Sequence, residues 1–145
     1  MGAACLSALA LALVAPGLRG QDATGAWEVT WAQAVRIGPD GATEIQKWGK
    51  ARLILRQEGD SLRGSWRADV ADVTWQVSGT FDGTLLRLRA TRHDSGDPQL
   101  AAVESMNWEG RVQGDRVEGS MWLVLRERAR PPHRRPWRGE RAGGA

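Results

Sequence analysis

Two similar stretches, EGDSLRGSW and QGDRVEGSMW, share Gly-Asp, an aliphatic residue and Gly-Ser before a Trp, and they carry residue types that could do chemistry. Asp60 and Asp115 are of the type used in general acid–base catalysis, and Ser65 and Ser120 are of the type that acts as a nucleophile. A serine nucleophile needs a base within hydrogen-bond reach, and both histidines of the chain stand outside these stretches. Gly-Asp is typical of a tight hairpin turn, which puts the aspartates in turns and the serines on strands. The stretches therefore predict no catalytic residue.

The sequence contains no residue pattern that predicts a metal or a cofactor. Zinc sites use three or four nitrogen or sulfur ligands, whereas the chain has two histidines and one cysteine, Cys5, near the start. The stretch HDSGDPQ has two aspartates near a glycine but lacks the spacing of a calcium loop. No phosphate-binding glycine motif or nucleophile elbow is present. We expect no metal and no cofactor; an enzyme would need a polar cluster around His93, Asp94 and Asp97.

Tryptophan is the residue type most open to a binding role, since the chain has eight. Trp31, Trp66, Trp75 and Trp108 fall on the predicted inner face of their strands. Such rings could line a cavity for a small hydrophobic or flat aromatic ligand. The alternative is that the same rings fill a solid core.

The elements that would position these rings are β-strands. Apolar residues recur with period two, as where Trp27, Val29 and Trp31 alternate with polar neighbours. Turn signals rich in Gly and Asp separate the periodic runs. The pattern predicts strands at 26–36, 42–57, 61–68, 72–81, 84–92, 103–113 and 116–126.

The fold class predicted is all-β, an antiparallel up-and-down meander of seven or eight strands that closes into a small barrel. Closure removes unpaired sheet edges. Gly64, Gly79, Gly110 and Gly119 fall on the inward phase, and glycine inside a strand marks a place where a barrel wall bends. A β-sandwich is the alternative.

The stretch TGAWEVTW, residues 24–31, resembles the Gly-x-Trp signature that opens the first strand of lipocalins and related calycin barrels. Gly25 and Trp27 match that signature, and the likeness covers roughly residues 24–128. The resemblance implies that Trp27 closes one end of the barrel and packs under an arginine just after the last strand. Arg126 or Arg128 would then be that arginine.

Three segments are predicted along the chain. The apolar run LSALALALV is typical of a secretory signal peptide, so residues 1–20 are expected to be cleaved and the protein to be secreted or periplasmic. Residues 21–126 are the expected barrel domain. Residues 127–145, rich in Arg and Pro, are expected to be a disordered tail. Four of its arginines are candidates for contact with polyanions: Arg130, Arg134, Arg135 and Arg138.

The function predicted is a non-catalytic binding protein that holds a small hydrophobic or aromatic ligand in a Trp-lined barrel. The alternative is a structural or envelope-interaction module with a filled core, which acts on an anionic envelope surface through its outer face and basic tail. We expect no nucleic-acid partner, and the chain is not predicted to be an integral membrane protein.

Overall fold

The computed structural model describes residues 22–69, 72–127 and 133–143. These residues form eight strands and one short 3₁₀ turn at Leu100–Ala102. The strands are β1 (Gly25–Ile37), β2 (Thr43–Glu58), β3 (Ser61–Ala68), β4 (Thr74–Phe81), β5 (Leu85–His93), β6 (Val103–Gln113), β7 (Arg116–Leu125) and β8 (Arg135–Arg141). The predicted signal peptide lies outside the described residues.

The strands follow one another as a closed antiparallel barrel. Each strand pairs with the next one along the chain, and β8 pairs with β1 to complete the ring. The predicted all-β barrel is confirmed, and the sandwich alternative is wrong. The repeated Gly-Asp dipeptides form hairpin turns in which Gly59 and Gly114 have φ values of 63° and 61°. Only glycine adopts that backbone region without strain, so these positions punctuate the meander.

The eighth strand lies in the segment expected to be a disordered tail, and that prediction is wrong for residues 133–143. Arg138 lies opposite Thr30 of β1, and Trp137 lies opposite Gly119 of β7. Without β8, the edges of β1 and β7 would expose unpaired backbone groups. The side chain of Trp137, which we placed in the tail, is 1% exposed. The barrel domain therefore extends past residue 126.

The inward glycines predicted to mark bends are places where strands approach closely. At Gly64, Gly79 and Gly119 an added Cβ atom would lie 1.7 Å from a carbonyl oxygen of the neighbouring strand. At Gly110 the corresponding space is filled by the indole ring of Trp137. These positions thus let the wall coil tightly and make room for a large ring inside.

The barrel end at which β1 begins, here called the Trp27 end, is plugged by an aromatic ring. Trp27 is buried, and its indole N–H donates to the carbonyl oxygen of Ala23 over 3.0 Å. The guanidinium of Arg141 lies 4.3 Å from the centre of the Trp27 ring. It also donates to the carbonyl oxygens of Thr24 and Asp22, each over 2.7 Å. Arg141 thus ties the end of β8 to the start of β1.

The assignment of the packing arginine to Arg126 is wrong, because β7 is not the last strand. Arg126 is exposed at the opposite end, where its Nε donates to the carbonyl oxygen of Ala101. We call that end the His93 end, since β5 finishes there. The arginine at the end of the last strand is Arg141; Arg128 lies outside the described residues.

Candidate ligand-binding site

The structure brings the predicted tryptophans together inside the barrel. The ring of Trp66 on β3 lies 5.0 Å from that of Trp108 on β6 and 6.2 Å from that of Trp31 on β1, measured between centroids. Trp75 lies opposite Trp66 on the neighbouring strand β4, and its ring lies 4.6 Å from that of His93, at an interplanar angle of 53°. Four strands, β1, β3, β4 and β6, thus direct tryptophan side chains into the barrel, because each side chain stands on the inward phase of its strand.

A fifth ring belongs to this cluster and was missed from the sequence. Trp137 of β8 lies 6.3 Å from Trp66, nearly perpendicular to it. The sequence pattern that would predict a strand here is weak, because Arg135, Gly139 and Arg141 occupy the other inward positions of β8. With Trp66, Trp108 and Trp137 each 1% exposed, the middle of the barrel is filled by indole rings. Trp31 is only partly buried, and it stands four residues beyond Trp27 on β1, toward the His93 end of that strand.

Two indole N–H groups in the cluster have no acceptor among the residues that the structure describes. They belong to Trp108 and Trp31, and both nitrogen atoms are buried. By contrast, the N–H of Trp137 reaches the carbonyl oxygens of Glu109 and Ser120, each over 3.2 Å. A buried donor without a partner costs about 1–3 kcal/mol. The rings of Trp108 and Trp31 both lie next to that of Trp66. A ligand that placed a hydrogen-bond acceptor beside either N–H group would therefore gain binding free energy.

The rim at the His93 end combines apolar and polar side chains. Leu123 stands two residues after Met121 and therefore on the same, inward phase of β7, yet it is 37% exposed. His93 is partly buried, and its Nδ1 accepts the N–H of Ser95 over 3.2 Å, which leaves Nε2 to carry the proton of the neutral ring. Arg135 reaches across the β8–β1 seam and donates to the carbonyl oxygen of Gln33 over 3.0 Å. The rim thus offers an apolar contact beside polar donors.

The carboxylates at this end serve the loops. Asp94 accepts the backbone N–H of Thr74 over 2.7 Å, and Asp97 accepts that of Gln99 over 2.9 Å. The first bond joins the start of β4 to the residue after β5, and the second lies within the β5–β6 connection. In the described parts of the chain, no group of three or more metal-ligating side chains comes together.

Three of the arginines predicted to contact polyanions, Arg134, Arg135 and Arg138, stand in or beside β8. Arg134 lies 4.1 Å from the ring centre of Trp122 and donates to Glu109 over 3.1 Å. This bond lowers the pKa of the Glu109 carboxyl, and the positive charge of Arg87 adds to the effect. Arg138 lies 5.1 Å from the ring centre of Trp48. Arg135 is placed as described above, and Arg130 lies outside the described residues; a polyanion role for the four stays a prediction.

A groove of about 710 Å³ crosses the outer face of β7, β8, β1 and β2. Its charged lining residues are the acidic Glu28, Asp69, Glu118 and Glu140 and the basic Lys50, Arg52, Arg116 and Arg138. Because four charges of each sign balance, the groove favours neither a cation nor an anion.

Comparison with known proteins does not assign the chain to a family. No protein-family model matches the chain, and no curated protein matches it in sequence. Among solved structures, that of Rv2717c from M. tuberculosis is similar, with 13% sequence identity and a TM-score of 0.45 over 89% of this chain and 99% of the other. The eight-stranded antiparallel barrel fits a calycin-like barrel at the level of strand count and order. Within the described residues, no helix is long and apolar enough to cross a membrane.

Proposed function

We propose that this protein is a non-catalytic binding protein whose ligand is a small, apolar or flat aromatic molecule with a hydrogen-bond acceptor. The ligand would enter at the His93 end and reach the cluster of Trp31, Trp66 and Trp108. We also propose that the protein is exported to the periplasm or to the outside of the cell, because residues 1–20 have the pattern of a secretory signal peptide.

The observation that carries the proposal is the buried N–H of Trp108, which has no acceptor within the described part of the barrel. An acceptor such as a carboxylate or carbonyl oxygen would relieve the cost of that donor. The partly exposed ring of Trp31 and the exposed side chain of Leu123 supply apolar contacts on the way in. A ligand with both features therefore fits this end of the barrel better than a purely polar one.

Fluorescence titration tests the proposal. Fatty acids, retinoids and flat aromatic acids are added to the purified protein while Trp emission and the melting temperature are followed. A ligand that binds should change the emission and raise the melting temperature, because only the folded state binds it. Trp108→Phe keeps an aromatic ring and removes the N–H, so it should weaken binding of an acceptor-bearing ligand by roughly 2- to 13-fold, which corresponds to about 0.5–1.5 kcal/mol.

Trp48→Phe is the matched control, because Trp48 faces outward on β2 and should leave the titration unchanged. Unchanged emission and melting temperature with every ligand would contradict the proposal. If Trp108→Phe and the unaltered protein bind the ligand with equal affinity, the protein is still a binding protein, but Trp108 is not part of its binding site.

A second candidate function is a structural module with a filled core that works through its outer face and C-terminal arginines. The burial of Trp66, Trp108 and Trp137 favours it, since rings that pack against one another leave the middle of the barrel solid. The titration separates the two candidates, because a solid module binds none of the ligands.

A further inference from the structure

The outer wall formed by β2–β5 is strongly basic. Nine charged side chains stand on its outward phase between Lys50 and Arg92, and all are exposed. Eight are basic, namely Lys50, Arg52, Arg56, Arg63, Arg67, Arg87, Arg89 and Arg92, and one is acidic, Glu58. We call this surface the basic face. It shares only Lys50 and Arg52 with the charge-balanced groove and none of its residues with the C-terminal arginines.

The register of β2 and β3 places like charges directly opposite each other. Arg52 faces Arg67, and Arg56 faces Arg63. Directly opposed like charges destabilise an antiparallel pair, whereas opposite charges at such positions contribute roughly 0.2–1 kcal/mol. These two cross-strand arginine pairs therefore act against the stability of the isolated fold, and Glu28 of β1, which lies opposite Arg52 on its other side, offsets part of the repulsion. A bound anion would remove that repulsion.

The ion pairs available to this face are weak. Arg56 pairs with Glu58, Arg67 with Asp72 and Arg87 with Glu109, and all three arginines are well exposed. Exposed ion pairs of this kind contribute little, since solvent and salt screen them. Within the described residues, the other basic side chains of the face form no salt bridge. The face thus keeps most of its positive charge for a partner.

Large apolar side chains lie on the same strand as these cations. Ile54 is 47% exposed and lies between the two arginine pairs, opposite Ser65 of β3. Trp48, 41% exposed, stands on the same outward phase of β2 beyond Lys50. A soluble polyanion would engage the arginines but would give Ile54 nothing to contact. A lipid bilayer with anionic headgroups accepts both, because apolar side chains enter the interface while basic side chains bind phosphate.

We propose that the basic face binds the surface of a bilayer containing anionic phospholipids, with Ile54 and Trp48 in the headgroup region. This proposal rests on the second candidate function and deepens it, since it names the partner of the outer face; it does not depend on a ligand inside the barrel.

Vesicle co-sedimentation tests the proposal with the full chain. Vesicles of equal parts phosphatidylglycerol and phosphatidylcholine should sediment the protein, and vesicles of phosphatidylcholine alone should not. Binding should fall steeply as salt rises, since the screening length drops to about 3 Å at 1 M salt. The fourfold variant with Arg52, Arg56, Arg63 and Arg67 all changed to Gln should bind on the order of 10²- to 10³-fold more weakly, because each basic residue near an anionic surface contributes about 1 kcal/mol.

The matched control removes the same number of positive charges from strands outside the basic face. It changes Arg111, Arg116, Arg126 and Arg134 to Gln; all four are exposed on or beside β6 and β7 or just before β8. Arg138 is kept, because it lies 5.1 Å from the ring centre of Trp48. This variant should keep most of its binding. Substitution is used rather than deletion of the C-terminal segment, because β8 closes the barrel.

The Ile54→Ser variant tests whether the partner is a bilayer. It should weaken vesicle binding by about tenfold at every salt concentration, because an apolar contact is lost. If the control variant loses binding as fully as the basic-face variant, the proposed face is wrong. If Ile54→Ser has no effect and heparin or DNA binds as tightly as the vesicles, the partner is a soluble polyanion and the membrane proposal is overturned. Melting curves of all variants show whether each one is folded.

Discussion

Substitution of Trp137 by alanine is the sharpest test of the closed barrel. Trp137 belongs to β8, lies against Trp66 and covers Gly110 inside the wall. Its N–H also joins β6 and β7, through the carbonyl oxygens of Glu109 and Ser120. If residues 133–143 form the closing strand, this single side chain supports three strands at once.

The expected loss of stability follows from these contacts. A buried Trp→Ala change costs about 3–5 kcal/mol, since it removes apolar contacts and leaves a cavity. Loss of the indole hydrogen bonds adds roughly 0.5–1.5 kcal/mol. The sum, about 4–6 kcal/mol, is a large part of the 5–15 kcal/mol that holds a typical domain folded.

Urea denaturation followed by circular dichroism measures the effect. With an m value of about 2 kcal/mol/M, the midpoint should fall by about 2–3 M. A variant of a protein at the lower end of the 5–15 kcal/mol range would then be close to unfolded in water. Trp137→Phe keeps most of the ring and should lower the midpoint by a smaller amount, so it remains measurable if the alanine variant does not fold. Trp48→Ala, on the outer wall, should cost under about 1 kcal/mol, including its contact with Arg138.

A midpoint for Trp137→Ala within error of the unaltered protein would refute the reasoning. So would a chain that ends at residue 132 and unfolds with the same midpoint and m value. Either result would mean that residues 133–143 are not the closing strand.

Three further predictions follow from the wall, the Trp27 end and the charge of Glu109. Gly64→Ala should cost more than about 3 kcal/mol in thermal unfolding, because its Cβ would collide with a backbone oxygen, whereas Gly96→Ala, with nothing within 4 Å, should be nearly neutral. Arg141→Gln should cost about 2 kcal/mol through lost hydrogen bonds and ring contact, against under about 0.5 kcal/mol for Arg126→Gln. The folded-state pKa of Glu109 lies below its usual value, so its stabilisation is present above about pH 4.3 and is lost as pH falls through the folded-state pKa. Glu109→Gln should therefore flatten the loss of stability in acid, as measured by unfolding at a series of pH values. Identical slopes for both proteins would contradict this prediction.

Most strands could be predicted because their inward positions carry large apolar residues. In β4, Trp75 and Val77 alternate with polar residues, and the period-two pattern is plain. β8 has the same alternation, but its inward positions hold Arg135, Trp137, Gly139 and Arg141. One large apolar residue is too weak a pattern to outweigh a composition rich in arginine and proline. The strand forms because the edges of β1 and β7 need a partner, and no local pattern carries that requirement.

Part of the Trp cluster could be predicted from the sequence, whereas Trp137 and the arrangement of the rings could not. Alternation placed Trp31, Trp66 and Trp108 on the inward phase, and the structure confirms that they face one another. Their hydrogen bonding depends on which carbonyl groups lie across the barrel, which only the register decides. The same holds for the opposed arginines of the basic face, because Arg52 and Arg67 become neighbours only through the pairing of β2 with β3. The role predicted for Arg126 was wrong because the sequence pattern missed β8. By the resemblance, the packing arginine follows the last strand, and the last strand is β8 rather than β7.

The meeting of β1 and β8 has a consequence for how the chain folds. Every other ladder joins strands that are neighbours along the chain, whereas the bond from Arg141 to Thr24 spans 117 positions. Contacts of such long sequence separation slow folding, so ring closure is expected to be the slowest step in refolding. Until closure, the edges of β1 and β7 stay unpaired and open to association with other chains. Since residues 22 and 143 lie at the same end of the barrel, a circular permutant with a short linker between them should make this closure a local contact and refold faster.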